Sequence, residues 1–186
     1  MAEAPGPALA SPPASAPGDE IVSDANMVFD RVWVIDAGPA EIWPWLIQLG
    51  KRRARWYLPR AAERLIPPGR RATRRVDPRW QGLSVGDRIP DYGGRDEHLE
   101  VARIDPARAL VYRSERMGAP FSWALLLEPQ ASGATVLRLR FRGRLRSTGW
   151  QRRAIVTGGD FFDWATGALM VAGLRERLSD QTPATG

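Results

Sequence analysis

The chain has 186 residues, of which 44% are hydrophobic and eight are tryptophan, and its formal net charge is +6. This length suits one domain with a tail and does not suit two large domains. Because the chain contains no cysteine, disulfides and thiolate metal sites are excluded, and the expected location is a reducing, cytoplasmic interior.

The N-terminal segment is rich in Ala, Pro, Ser and Gly and poor in large apolar side chains. Such a segment buries too little apolar surface to offset the entropy lost on ordering. We therefore predict a disordered tail over residues 1–22, a single domain over residues 23–181 and a disordered end over residues 182–186. The tail lacks the regions of an export signal, and no apolar run reaches the roughly 18 to 20 residues of a membrane span.

A strand and two short helices are predicted first. Residues 27–36 alternate large apolar and other side chains, which indicates a strand. The sequence GPAEIWPWLIQLG follows and predicts a helix from Pro39, within which Pro44 should cause a bend or a restart. That bend would direct Trp43 and Trp45 to different sides. A second short helix is predicted in PRAAERLIPPG.

Four or five β-like segments then follow in quick succession, separated by the turn sequences DYGG, DPA, MGAP and QASG. No helical pattern interrupts them, so we expect hairpin connections and an antiparallel sheet. In the last segment, leucines alternate with arginines from Arg138 onwards. This alternation predicts one buried face and one solvated face.

A long helix is predicted at about residues 160–179, because apolar and small residues recur there at helical spacing. This stripe consists of Trp164, Gly167, Val171, Leu174 and Leu178. It needs a large apolar partner, and the inner face of the sheet is the candidate.

The order of these elements resembles that of the START-like superfamily, also called the polyketide cyclase, Bet v 1-like or SRPBCC group. The resemblance is carried by AGPAEIWPWLIQLGKRRARWY, DPRWQGLSVGDRIP, RALVYRSE with FSWALLLEP, and GGDFFDWATGALMVAGLRERL, and it spans residues 27–180. The resemblance is strongest for a bacterial branch of this superfamily. In that branch the first helix has a Trp-Pro-Trp segment and ends in Gln-x-Gly, and an aromatic pair follows, which here is Trp56 and Tyr57. The resemblance implies an α+β helix-grip fold: a curved antiparallel sheet of six to seven strands wrapped around a long C-terminal helix, with two short helices after the first strand.

The resemblance implies a cavity between the sheet and the C-terminal helix, and the aromatic residues of these elements would border it. Bulky aromatics with a few polar tips are suited to apolar ligands. We therefore predict that the cavity binds a small hydrophobic or aromatic molecule, and cofactor-free cyclase-like activity stays open. Tyr112 is included because Tyr112 and Arg113 adjoin in one strand and only one of them can face inward. The candidate ligand-binding residues are Trp45, Trp56, Tyr57, Tyr112, Phe121, Trp123 and Trp164.

Other site chemistry has little support in the sequence. His98 is the only histidine, and its charged neighbours favour a strand-edge role over catalysis. We predict no catalytic residue. We predict no metal, because with one histidine and no cysteine a metal site would rest on carboxylates such as Asp91, Asp96, Glu97 and Glu100, which a solvated loop explains better. We predict no cofactor, because no phosphate-binding loop is present.

The alternative hypothesis is a basic module that binds RNA, the ribosome or another anionic partner. Residues 51–75 contain Lys51 and nine arginines, opposed only by Glu63, and the outer face of the last strand adds a row of arginines from Arg138 to Arg146. A run of charge is usually a solvated face, and no base-stacking motif accompanies it. This hypothesis therefore ranks second, and the sequence leaves the ligand and the oligomeric state open.

Overall fold

The computed structural model describes residues 15–92, 97–116, 118–147 and 149–181; residues 1–14 and 182–186, which belong to the predicted tail and end, lie outside these ranges. Within the described ranges the strands are β1 (Met27–Ile35), β2 (Arg88–Pro90), β3 (His98–Asp105), β4 (Ala109–Arg116), β5 (Ala119–Pro129) and β6 (Thr135–Gly143). These six strands form one antiparallel sheet in the order β1-β6-β5-β4-β3-β2. The predicted antiparallel sheet is confirmed.

The helices are α1 (Pro39–Gln48), α2 (Arg60–Glu63) and α3 (Gly149–Gln181). Helix α3 has 33 residues and begins 11 residues before the predicted start. The glycine pair at Gly158 and Gly159 weakens the helical pattern in the sequence, since glycine has a low helix propensity. The antiparallel sheet packed against this long helix confirms the helix-grip arrangement.

Helix α1 runs through Pro44 as one continuous helix. Proline removes one backbone donor there, but the helix buries a large apolar face that includes Ile42, Trp45 and Leu46. Trp45 meets the ring of Tyr57 edge-on, with the ring centroids 5.6 Å apart. Burial of these side chains offsets the lost hydrogen bond, since a fully buried large apolar side chain contributes about 1.5–3 kcal/mol.

Helix α3 packs across the inner face of the sheet through Met170, Val171 and Leu174, all of which are completely buried. Glycines allow the close approach. A Cβ atom on Gly167 would lie 2.7 Å from the Trp33 ring, and one on Gly173 would lie 2.6 Å from backbone atoms of Leu58. The predicted stripe is therefore confirmed from Gly167 onwards.

The outer face of the sheet differs from the prediction, because much of it is covered. Arg138 is only 1% exposed and its guanidinium pairs with Asp30 on β1 at 2.5 Å. Arg140 pairs with Asp30 and, at 2.7 Å, with Asp19. Because these arginines meet carboxylates in their own chain, the predicted solvated row is for the most part internally neutralised.

Residues 15–22, which the sequence analysis assigned to the tail, form part of this cover. A 3-10 turn at Asp19–Val22 lies over the outer face, and Ala16 packs into a cluster with Val111 and Leu126. Gly18 allows the contact, since a Cβ atom there would lie 2.6 Å from Val111. The segment is short of large apolar residues, but the outer face supplies apolar surface of its own.

Candidate functional site

A cavity of about 480 Å³ lies between the inner face of the sheet and the first half of α3. Its walls are largely apolar, and this volume suits a small organic molecule. The walls include Phe29 of β1, Leu99 of β3, Leu139 of β6, and Ile155 and Phe162 of α3. The last two are also exposed to solvent, so they lie where the cavity opens to the outside.

An aromatic stack forms one wall of the cavity. Trp123 of β5 lies against Tyr112 of β4 with the ring centroids 5.7 Å apart, and against Trp56 with the centroids 5.8 Å apart. Both pairs are close to parallel, with interplanar angles of 21° and 25°. The Trp56 indole N–H donates to the carbonyl oxygen of Thr166 on α3 at 3.3 Å. The stack therefore joins the sheet, the loop after α1 and the helix.

The structure brings four of the seven candidate residues together around the cavity: Trp56, Tyr112, Phe121 and Trp123. Tyr112 and Phe121 face inward because β4 and β5 alternate their side chains with period two. Arg113 faces outward and pairs with Glu100, so Tyr112 is the inward member of the pair that the sequence left open. That these four bind a ligand stays a prediction.

The other three candidates lie away from the cavity. Trp45 and Tyr57 are completely buried in the main core. The Tyr57 hydroxyl donates to the Trp45 carbonyl at 2.8 Å and accepts from the Gln48 amide at 3.0 Å. Burial raises the pKa of Tyr57, and neighbouring donors and cations oppose this only in part. These contacts give Tyr57 a structural role.

Trp164 departs from the predicted inward stripe, because it is 51% exposed on α3. It contacts Phe161, with the ring centroids 6.0 Å apart. The cavity-facing positions of this part of α3 are instead Asp163, Thr166 and Gly167. At about 100° per residue, Trp164 lies to one side of these positions, so the predicted stripe faces the cavity at Gly167 but not at Trp164.

The polar residues that line the cavity lie on different elements, and the first of them is Tyr112 of β4. The Tyr112 hydroxyl has no hydrogen-bond partner within the described part of the chain. Burial raises the pKa of this phenol, and the positive charge of Arg53 opposes the rise only in part. Tyr112 therefore presents a neutral hydroxyl at neutral pH.

A carboxylate lines the cavity from α3. Asp163 lies with one oxygen 3.6 Å from Nε of Arg31, which belongs to the inner face of β1 and also pairs with Asp160. Burial raises the pKa of Asp163, Asp160 adds to the rise, and Arg31 opposes it. Arg31 is a charged residue among the apolar side chains of the inner face of β1. The sequence analysis gave it no role.

A second polar group was missed by sequence analysis. Lys51, Asp91 and Arg116 line the cavity together. Arg116 could have been found from the alternation of β4, since it lies four residues after Tyr112 and so on the same face. Lys51 and Asp91 lie in loops, where the sequence has no period that predicts direction.

Residues considered for other chemistry lie elsewhere. His98 is outside the cavity lining and pairs with Pro90 in the sheet. Within the described ranges, no group of three potential metal ligands occurs, and no helix is long and apolar enough to cross a membrane.

The basic segment is partly neutralised by carboxylates. Arg74 lies within 3.2 Å of oxygens of Glu63, Glu176 and Asp180, and Arg60 also pairs with Asp180. Together with the pairs of Arg138 and Arg140, these contacts reduce the unpaired positive charge available to an anionic partner.

Comparison with known proteins gives likenesses in fold. No protein-family model matches the chain, and no curated protein matches it. An HSP90 activator from Plasmodium falciparum is 14% identical, with a TM-score of 0.50 over 82% of this chain and 96% of that chain. DynU16, a protein in the dynemicin biosynthetic locus, is 17% identical, with a TM-score of 0.50 over 85% of this chain and 49% of that one, so this chain spans about half of its length.

A third solved structure, protein MLL2253 from Mesorhizobium loti, is 18% identical, with a TM-score of 0.49 over 83% of this chain and 98% of that chain. At these identities the likenesses concern the fold alone, because one fold serves many activities.

Proposed function

We propose that this chain, which has the helix-grip fold of the START-like, Bet v 1-like (SRPBCC) proteins, binds a small hydrophobic or aromatic molecule in the cavity between sheet and α3. The observation that carries the proposal is the parallel stack of Trp56, Trp123 and Tyr112 along one wall. Large aromatic side chains in an apolar wall favour apolar and aromatic ligands, which they bind through burial of apolar area and contacts between rings.

Binding is a better-supported role than catalysis. The titratable groups that line the cavity within the described ranges are few, and most are already engaged in pairs, as Asp163 is with Arg31 and Asp91 is with Arg116. A cyclase-like reaction needs an acid or base positioned against the substrate. Asp163, with its raised pKa, is the group that would have to supply it.

A direct test is titration with N-phenyl-1-naphthylamine, a neutral probe whose fluorescence rises in apolar surroundings. We expect saturable binding at one site. In the variant Leu99→Trp the added indole extends into the cavity from β3, and we expect the affinity to fall at least about tenfold, which corresponds to about 1.4 kcal/mol.

The matched control is Val32→Trp, which adds the same side chain at an exposed position of β1 and should leave the affinity unchanged. No saturable binding by the parent protein, or equal loss in both variants, would count against the proposal. Retention on RNA or heparin with a steep salt dependence would instead favour the basic-module alternative.

A further inference from the structure

Asp163 is a charged residue of α3 that lines the cavity. Gly159, about one turn earlier, lets the helix approach β1 closely, because a Cβ atom there would lie 3.2 Å from the ring of Phe29. Arg31 follows Phe29 by two residues and so lies on the same inner face of β1. One oxygen of Asp163 lies 3.6 Å from Nε of this arginine. Asp163 therefore lies where the cavity meets β1, the edge strand of the sheet.

The carboxylate of Asp163 accepts no hydrogen bond from the described residues. Its distance from Arg31 is too long for one, and the Arg31 guanidinium is already engaged by the carboxylate and the backbone carbonyl oxygen of Asp160. The Asp163 side chain is 21% exposed, and neither of its oxygens is among the buried polar atoms that lack a partner. Two carboxylates thus share one guanidinium, and the oxygens of Asp163 keep accessible surface for a donor.

Asp91, the other carboxylate of the lining among the described residues, already has partners. One of its oxygens pairs with Arg116, and the other accepts from the backbone N–H of Tyr92 at 2.6 Å. Lys51 donates from Nζ to the backbone carbonyl oxygen of Asp91 at 2.7 Å. The cationic side chains that line the described part of the cavity are therefore gathered at Asp91 rather than at Asp163.

The surroundings of Asp163 disfavour its negative charge. Burial raises the pKa of Asp163 and the charge of Asp160 adds to the rise, whereas Arg31 opposes it only in part. A positive charge placed beside the carboxylate would offset both causes. The net charge of the chain is +6, so its long-range field disfavours a cation. A preference of the cavity for a cationic ligand would have to come from this local group.

Phenylalanine rings from three strands extend the wall from Phe29. Phe29 lies against Phe141 of β6 with the ring centroids 6.0 Å apart, and Phe141 lies against Phe121 of β5 with the centroids 5.3 Å apart. All three residues line the cavity. The faces of aromatic rings attract cations, and the attraction is greater where water is excluded. This wall suits an apolar molecule that has a cationic group at one end.

We infer that the ligand carries a protonated amine, which binds to the carboxylate of Asp163 while the apolar part of the ligand lies against the aromatic walls. The inference rests on the proposed function and specifies the class of ligand. The amine supplies the hydrogen-bond donors that Asp163 lacks, and hydrogen bonds between charged groups are the stronger ones. Asp163 is then a binding residue that orients the ligand with its amine towards β1.

Three competitors that differ in one group test the inference. 1-Naphthylmethylamine is protonated at neutral pH, 1-naphthalenemethanol has a neutral hydroxyl in place of the ammonium, and 1-ethylnaphthalene has a methyl group there. Each is titrated against bound N-phenyl-1-naphthylamine, whose fluorescence falls on displacement. We expect the amine to bind about tenfold more tightly than 1-ethylnaphthalene, as a charge-assisted hydrogen bond allows. The alcohol should bind more weakly than the amine.

The variant Asp163→Asn removes the charge and keeps the size of the side chain. It should bring the affinities for the amine and for 1-ethylnaphthalene to within about twofold of each other. Because the readout is a ratio, a general change of the cavity cancels. Asp36→Asn is the matched control, since Asp36 is exposed and lies outside the cavity lining, and it should preserve the advantage of the amine. If Asp163→Asn does not fold, as judged by circular dichroism, Asp163→Ala takes its place with the same expected result.

The outcomes separate the inference from the function beneath it. If the competitors bind but the amine has no advantage over 1-ethylnaphthalene, or if the alcohol equals the amine, the inference is overturned and the binding function stands. An advantage that survives the loss of the Asp163 charge, or that is lost equally in Asp36→Asn, also overturns the inference. If neither the fluorescent probe nor any competitor binds, the proposed function fails and the inference with it.

Discussion

The ring of Trp123 stacks on the ring of Tyr112 with their centroids 5.7 Å apart and their planes 21° from parallel. Tyr112 lines the cavity, whereas the Tyr57 hydroxyl is hydrogen-bonded in the core to Trp45 and Gln48. The two tyrosines look alike in the sequence, but they have different surroundings in the structure, and these surroundings predict different effects of the same substitution.

Tyr57→Phe should lower the free energy of unfolding by about 1–3 kcal/mol, because it removes the side-chain donor to the buried Trp45 carbonyl and leaves the Gln48 amide with only its bond to the Arg75 carbonyl. That carbonyl, of Trp45, lies in the last turn of α1, where intrahelical donors run out. Tyr112→Phe keeps the stack and loses no hydrogen bond, so the change should be below about 1 kcal/mol. Urea unfolding of both variants measures the difference, and equal effects would contradict these roles.

Two glycines of α3 should respond in opposite directions to alanine. Gly173→Ala places a Cβ atom 2.6 Å from the backbone of Leu58, and we expect a loss of about 1–3 kcal/mol from overpacking. Gly158→Ala meets nothing within 4 Å, and it should stabilise the helix by up to about 1 kcal/mol. Thermal unfolding of both variants is the measurement, and stabilisation by Gly173→Ala would argue against the close approach at Gly173.

Asp30 should contribute to the pH dependence of stability. Burial tends to raise the pKa of Asp30, but hydrogen bonds and charges from Arg138 and Arg140 outweigh it and lower the pKa below its ordinary value. A carboxyl whose pKa is lowered by folding stabilises the protein above its unfolded pKa of about 3.9, and this contribution is lost as the pH falls through the folded value.

Asp30→Asn should therefore lower the free energy of unfolding by about 1.5–3 kcal/mol at pH 7, and the difference from the parent should shrink below about pH 4. Urea unfolding at a series of pH values from 7 to 3 measures this difference in unfolding free energy. Asp24→Asn is the control, because Asp24 pairs with Arg144 at an exposed position and should change stability by less than about 1 kcal/mol. Parallel profiles for Asp30→Asn and the parent would refute the assignment.

Removal of residues 1–22 should uncover the outer face of the sheet. Val22 is buried and Ala16 packs on Val111 and Leu126, so we expect a loss of at least about 2 kcal/mol of unfolding free energy. The deletion also removes Asp19, a partner of Arg140, so retention on heparin should increase. The control is removal of residues 1–14 alone, which keeps the covering segment and should change neither the unfolding free energy nor the retention on heparin. Identical behaviour of the two deletions would contradict the role of residues 15–22.

The local pattern of the sequence predicts the strands of the sheet and the order of the elements, although it misses the first 11 residues of α3 and the 3-10 turn at Asp19–Val22. Alternation in β6 predicts which side chains share a face, and helical spacing predicts the packing of Val171 and Leu174. Both are relations between near neighbours along the chain, so they can be read from the sequence. The inward directions of Tyr112, Phe121, Trp123 and Arg116 follow from the same period of two once the inner face is known, whereas Trp56 lies in the loop after α1 and has no such period.

What covers each face was decided only by tertiary structure. Asp30 and Arg138 are 108 positions apart in the chain, and the burial of that arginine depends on a carboxylate that no local pattern connects to it. Likewise, Lys51, Asp91 and Arg116 line the same cavity although they lie in three segments that are far apart in the chain. Periodicity determines direction within an element, whereas pairing of charges and the shape of a cavity depend on contacts between distant segments.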